Sequence, residues 1–286
     1  MKIPFIKCQS TGNDFILVNE EDLTQKHEQL SEEEKTKRFS NLAKKICERR
    51  FNIGSDGLLT ASLSDETVKM RTFNADGTPD FCINGLHCLA FHLFDQKKIA
   101  RQQMIEQLGK KVQVYISDDG FISSLISAAS FVPNEVPLQA GLPELFMTPV
   151  SIFGCEVVIS ALTTGTSHTV IFEELLPDEE RFTEVSQALE NHPFFPERTS
   201  IIWATAESDY DLTIRIWERG VGETLGCGTG SAAVSVVWSR WKNLKGDFKV
   251  SSPGGSTFVQ LEHWDQPIWI RTKPQIIFKG FFDVDL

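Results

Sequence analysis

The sequence predicts an α+β protein made of two pseudo-symmetric domains, each an antiparallel-rich sheet or barrel wrapped around a central helix. Three observations predict it. Phe73–Phe94 (FNADGTPDFCINGLHCLAFHLF) and Trp217–Trp238 (WERGVGETLGCGTGSAAVSVVW) are blurred copies of one another. Laying Cys82 on Cys227 puts Gly77 on Gly222 and Gly85 on Gly230, and an apolar helical run follows in both. TGNDFILV at 11–18 is echoed by TGTSHTVIF at 164–172. Between these landmarks the pattern is strand-like, as in Val112, Val114 and Ile116. A repeat of roughly 140 residues is far too long for a solenoid, so it reads as a domain duplication. The two cysteine turns would then face each other across an interdomain cleft, a favoured ligand site.

Taken in order, Lys2–Val18 holds a turn followed by a strand. Residues 20–50 are highly charged and predict a helix from about Ser31 to Glu48. Ser31 with Glu34 fits a capping box, and Phe39, Leu42, Ala43 and Ile46 form one apolar stripe. FNIGSDGLLT at 51–60 is a glycine turn into a strand, and Thr67–Asn74 is a strand entering the first cysteine turn. A helix follows over about Asn84–Asp95, and Asp118-Asp119-Gly120 marks a hairpin. Pro133, Pro137, Pro143 and Pro149 mark the domain boundary, with the second domain opening at 133. Strands are expected at Val157–Ala161, within Thr164–Phe172, at Ile201–Thr205 and at Leu212–Trp217. A short helix is expected at Thr183–Glu190 and a longer one from the second cysteine turn to about Trp241. Strands around a Pro253-Gly254-Gly255 turn finish the chain.

The formal net charge of −11 argues against a nucleic-acid partner, which needs a basic face. No stretch reads as a signal peptide or a membrane span, so a cytoplasmic protein is expected. Six cysteines spread through 286 residues read as free thiols rather than a disulfide framework. Cys8, Cys47, Cys88 and Cys155 read as small core residues. Cys82, His87, Cys88 and His92 make a poor metal set, because His87 points away from the face shared by Cys88 and His92; no metal and no cofactor are expected. GCGTGS is a poor dinucleotide loop, since Ser231 stands where the third glycine belongs and no βαβ unit follows.

Two cysteines in glycine turns before helices suggest a specific chemistry. A helix N-terminus offers N–H groups to an anion and biases a thiol toward thiolate. One thiolate could remove a proton from a carbon while the opposite thiol delivers one to the other face, inverting the centre. The α-carboxylate would rest on N–H groups around Asn84-Gly85 and Gly228-Thr229, which also stabilise charge on the deprotonated carbon.

The residues that carry this chemistry also carry a resemblance. TGNDF at 11–15, IGSDGLL at 53–59, FNADG at 73–77 with Cys82 and Asn84-Gly85, TGTSH at 164–168, ERT at 197–199, ERGVGETLGCGTG at 218–230 and PGG at 253–255 resemble diaminopimelate epimerases over nearly the full length. The resemblance implies pyridoxal-independent epimerisation of LL- to meso-diaminopimelate by Cys82 and Cys227, in lysine and peptidoglycan biosynthesis. It implies that His168 supports Cys82 and Glu218 supports Cys227. It implies substrate contacts from Asn13, Asn74, Ile83, Asn84, Gly85, Thr166, Ser200, Arg219, Gly228 and Thr229, with Arg219 on the distal carboxylate. It also returns the C-terminal strand, 276–286, to the first domain. A small-molecule substrate is implied, and a homodimer is compatible with it.

Four positions depart from the family pattern. Ile83 replaces a glycine after the first cysteine, where a side chain would crowd the turn unless it sits outward. Thr166 and Ser200 replace two amides, and Gly57 stands where many members carry Gln. A hydroxyl is shorter than an amide and offers fewer donors. Looser discrimination at the distal end is therefore expected, with glutamate as a second substrate. The competing readings are a proline-racemase-like or phenazine-type isomerase, a thiol-redox protein, which lacks a CxxC, and a catalytically dead binding module.

Overall fold

The structure is a computed structural model describing residues 2–24, 30–64 and 67–283. The chain forms two compact units, Met1–Ser124 with Thr272–Leu286, and Leu125–Arg271.

In the first unit β1 (Lys2–Ser10) folds back on β2 (Asn13–Asn19) through Thr11 and Gly12, at φ 49° and 80°. Two successive positive φ values suit a two-residue hairpin of the primed type. A single turn, α1 (Glu20–Leu23), precedes α2 (Glu32–Ile46), whose N-cap Ser31 forms the expected capping box with Glu34. Strands β3 (Gly57–Leu63), β4 (Val68–Asn74) and the short β5 (Pro79–Asp80) lead into α3 (Ile83–Asp95). Then come β6 (Gln102–Gln107), β7 (Lys110–Ile116) and β8 (Ile122–Ile126), within which the chain leaves this unit. The last strand, Gln275–Asp283, pairs with β1. From that strand the ladder runs through β1, β2, β3, β4, β6 and β7 with pairings antiparallel, antiparallel, parallel, antiparallel, parallel, antiparallel.

The second unit contains β9 (Thr148–Ile152), β10 (Cys155–Thr163), β11 (Ser167–Phe172), α4 (Glu179–Glu190), β12 (Ser200–Ala206), β13 (Asp211–Glu218), β14 (Gly222–Thr224), α5 (Gly228–Lys242), β15 (Gly246–Ser252), β16 (Gly255–Leu261) and β17 (Ile268–Thr272). Its ladder β9, β10, β11, β12, β13, β15, β16 repeats the same run of pairings. The duplication read from two cysteine turns therefore extends to strand order and direction. The C-terminal strand, β18, occupies in the first unit the place β9 occupies in the second.

Each sheet wraps one buried helix. Helix α3 packs against β1, β2, β3 and β7, and α5 against β10 through β13, β15 and β16. All residues from Gly228 to Ser239 are buried, as expected of a helix apolar on every face. The second helix of each unit covers part of its sheet: α2 sets Phe39 edge-on to Phe73, with ring centroids 6.3 Å apart. Helix α4 opens at Glu179, one turn earlier than expected, because the Asp178 carboxylate accepts from Arg181 N–H at 2.9 Å and caps it.

His87, on α3, has both ring nitrogens engaged, by Thr272 Oγ1 at 2.6 Å and Ser124 Oγ at 2.9 Å. It thus ties α3 to the two points where the chain leaves and re-enters this unit. Burial of that ring holds its pKa down at about 3. Cys8, Cys47 and Cys88 are buried, as expected. Cys155 is not: the β9–β10 hairpin turns at Phe153-Gly154, both at positive φ, and leaves Cys155 exposed beside the tip.

Candidate active site

The two cysteines occupy the same local geometry. Cys82 is the N-cap of α3, at φ −127° and ψ 111°, and Gly85 N–H donates to its Sγ at 3.4 Å. Cys227 is the N-cap of α5, at φ −139° and ψ 116°, and Gly230 N–H donates to its Sγ at 3.4 Å. In both, the cysteine carbonyl accepts the first helical bond, from Leu86 and from Ser231. Both glycines are fixed by crowding. A Cβ on Gly85 would lie 2.8 Å from Leu59 Cδ2, and one on Gly230 would lie 2.9 Å from Ile202 Cδ1 and 3.4 Å from Cys227 Sγ. Gly85 and Gly230 spend their N–H on sulfur, so the earlier N–H groups of each helix remain the natural anion donors.

In the first unit Asn13 opens β2 and Asn74 closes β4, so both lie at the same end of the sheet. The Asn74 amide donates to Thr78 Oγ1 at 3.1 Å. Asn13 Oδ1 and Thr11 Oγ1 are buried with no hydrogen-bond partner among the described residues. The neighbouring Asp14 is held by Lys7 at 2.5 Å and by Arg49. Burial pushes its pKa up, but the Arg49 and Lys7 hydrogen bonds outweigh that and bring it to about 2. This charged clamp fixes the turn that carries Asn13. Asn84 is buried on the first turn of α3.

In the second unit Glu218, His168, Thr166, Ser200 and Arg219 gather at the matching end of the sheet, where His168 pairs with Ser200 across β11 and β12. Arg219 N–H donates to Ser200 Oγ at 3.1 Å, and its Nη1 donates to the Glu197 carbonyl at 3.0 Å. Cys227 Sγ lies 3.4 Å from Thr229 Oγ1, which lies 3.3 Å from Thr166 Oγ1, which lies 3.0 Å from His168 Nε2. His168 is 1% exposed, and its Nδ1 has no hydrogen-bond partner among the described residues. Burial, helped by the Arg219 charge, lowers its pKa to about 3, so the ring is neutral.

The helix terminus was expected to favour a thiolate, and for Cys227 the balance goes the other way. Burial is the larger cause and the Glu218 carboxylate adds to it, so the thiol is pushed up to about 12. Thr229 and Gly230 donate toward the sulfur and oppose the rise without cancelling it. A burial penalty and a carboxylate at hydrogen-bond range outweigh the dipole of one helix end. At neutral pH Cys227 is therefore a thiol.

A sequence model described as Diaminopimelate epimerase matches residues 160–276. The diaminopimelate epimerase of Carboxydothermus hydrogenoformans is 32% identical over 279 residues, covering 96% of this chain and 98% of that protein. The chain belongs to the diaminopimelate epimerase family. It is accordingly an epimerase, an isomerase. The Alkaliphilus metalliredigens diaminopimelate epimerase is 31% identical, with 99% and 98% of the two chains covered. Among solved structures, a hydroxyproline epimerase from Agrobacterium vitis superposes with TM-score 0.68 at 11% identity, covering 98% of this chain and 91% of that one. A Bacillus anthracis protein of the PhzF family gives 0.64 at 15%, covering 99% and 100%. These structures share the expected two-domain α+β fold.

Against that family pattern, the departures have structural explanations. Ile83 is the first residue of α3 and lies outside the positive-φ region, so its backbone carries no strain. Of the two possibilities, crowding the turn or sitting outward, its side chain does not take the outward one: it is 2% exposed. At Gly57 a Cβ would approach the Phe73 carbonyl to 2.8 Å, so the backbone here has no room for a larger residue. Thr166 and Ser200 both spend their hydroxyls inside the second unit, on His168 and on Arg219 N–H.

No helix among the described residues is long and apolar enough to cross a membrane.

Proposed function

We propose that this chain converts LL- to meso-diaminopimelate, in lysine and peptidoglycan biosynthesis, by a two-base proton transfer at the α-carbon that uses no pyridoxal cofactor. The observation that supports this best is the matched pair of N-cap cysteines, each with a glycine N–H on its sulfur. On this reading the two half-sites share one α-carbon. Cys82, supported by His168, and Cys227, supported by Glu218, exchange roles as base and acid with the direction of reaction. Because Cys227 rests protonated, it is the residue that delivers the proton when the cycle begins on the opposite face. N–H groups at the starts of α3 and α5, including those of Gly228 and Thr229, take the α-carboxylate and the charge that develops beside it. Arg219 takes the distal carboxylate, and Asn13 and Asn74 also contact the substrate.

The test is α-proton exchange in D2O over a panel of amino acids, with wild type and Cys227→Ser. Wild type should exchange and invert diaminopimelate. The serine variant should lose inversion by about a thousandfold or more, as expected for removal of a proton-transfer group, while still binding substrate. Unchanged inversion by that variant, or no exchange of diaminopimelate by wild type, would refute the reading. A second reading, relaxed specificity, is favoured by the inward hydroxyls of Thr166 and Ser200. It predicts exchange of glutamate as well, and exchange of diaminopimelate alone removes it.

A further inference from the structure

We propose that Thr166 and Thr229 form a hydroxyl relay through which His168 donates hydrogen-bond character to Cys227, making Thr166 a positioning residue for the thiolate of that half-site. The relay lies wholly within the second unit. It runs from Cys227 Sγ to Thr229 Oγ1 at 3.4 Å, to Thr166 Oγ1 at 3.3 Å and to His168 Nε2 at 3.0 Å.

Its direction follows from which ring nitrogen carries the proton. Neutral imidazole has one N–H and one lone pair. With the proton on Nδ1, a buried donor would face no acceptor among the described residues, the rarer and costlier situation. With the proton on Nε2, the ring donates to Thr166, the unmet atom is only an acceptor, and each hydroxyl is free to donate to the next. Thr166 then donates to Thr229 and Thr229 donates to the sulfur. That orientation fits a thiolate. When Cys227 carries its proton, the S–H goes to the Glu218 carboxylate, which is within hydrogen-bond range. Loss of that proton leaves a sulfur that already receives the Gly230 N–H and the end of the relay. Glu218 handles the proton, and the relay holds the charge left behind. Among the described residues, Glu218 from the end of β13 acts on this sulfur directly, and Arg219 acts on His168 of β11 at the far end of the relay.

The proposal rests on the two-base reading for its meaning in catalysis, but its test does not use substrate. Wild type, Thr166→Val and Thr166→Ser are alkylated with iodoacetamide across pH 7 to 11, and the extent at Cys227 and at Cys82 is read separately by peptide mass spectrometry. Cutting the chain behind the Thr229 hydroxyl, which donates to the charged sulfur, should slow Cys227 alkylation at a given pH about tenfold in Thr166→Val and move its profile up by about one unit. Thr166→Ser, which keeps the hydroxyl, should restore the wild-type profile, and Cys82 should be unmoved in both. An unchanged Cys227 profile in Thr166→Val, or a serine variant that behaves like the valine, would overturn the relay. Should the valine variant not fold, Thr166→Ala cannot overpack and supplies the same comparison. Failure of the epimerase reading would appear instead in the D2O exchange panel, with the alkylation profiles intact.

Discussion

Glu218 has two opposed effects on Cys227. As a nearby carboxylate it raises the thiol's pKa, and as an acceptor it is suited to take the proton in turnover. Reactivity and catalysis should therefore separate in Glu218→Gln. Removing the negative charge removes one cause of the raised pKa, so the thiolate becomes more populated at any pH below about 12. Iodoacetamide should label Cys227 about tenfold faster at pH 8, the size expected for relief of one close like-charge interaction. Epimerisation should fall by about a hundredfold because the proton acceptor is gone. Slower labelling in Glu218→Gln would show that the carboxylate assists ionisation of the resting thiol instead. The family resemblance already placed Glu218 with Cys227, but the direction of the shift was not readable from the sequence, where helix-end position argued for a thiolate. The desolvation of the partly buried Cys227 and the arrival of Glu218 beside it arise from strand β13 ending next to α5.

Among the elements, the cysteine turns show how a sequence motif fixes a helix start. Gly85 and Gly230 are equivalent by position, but their surroundings differ. A Cβ on Gly85 meets Leu59 and Met70 side-chain ends at 2.8 and 3.2 Å, whereas one on Gly230 meets Ile202 at 2.9 Å and Cys227 itself at 3.3 Å. Gly230→Ala should therefore displace the sulfur from its N–H donor, while Gly85→Ala mainly shifts flexible neighbours. Both should cost about 1–3 kcal/mol in urea unfolding, as overpacked sites do. Turnover should fall about a hundredfold in Gly230→Ala and clearly less in Gly85→Ala, since misplacing a reacting atom costs far more than the packing does. Equal losses of turnover would remove the distinction. The motifs made these helix starts legible, as the Ser31–Glu34 box did for α2. Strand β6 was not legible: QQMIEQ has no apolar alternation, and its buried Gln107 is held by donating to Thr72 Oγ1 at 2.7 Å. The hydroxyl chain was equally hidden. Thr166 and Thr229 are 63 residues apart, and the packing of β11 against α5 brings them together.

At the scale of the whole molecule, each unit holds a fully buried neutral histidine, His87 on α3 and His168 on β11, both held down to about 3 by burial first of all, and burial also lowers His92 on α3. An unfolded chain protonates both near pH 6.5. Between pH 6.5 and about 3 the unfolded state therefore binds protons that the folded state refuses, and stability falls as pH falls through that window. The full penalty is of the order of 4 kcal/mol per ring, approached only at the acid end. Asp14 adds to it later, because its folded pKa of about 2 lies below the ordinary 3.8 and its stabilisation is lost between those values. The melting temperature should thus begin to drop below about pH 6.5, well before carboxylates titrate. His87→Gln isolates the first unit's share. The amide can still bond Ser124 or Thr272 but has nothing to titrate, so the variant should be less stable at pH 7.5 and lose less between pH 7.5 and 5 than wild type does. A parallel loss in both proteins over that interval would mean that the buried ring at the strand crossings does not set the acid limit.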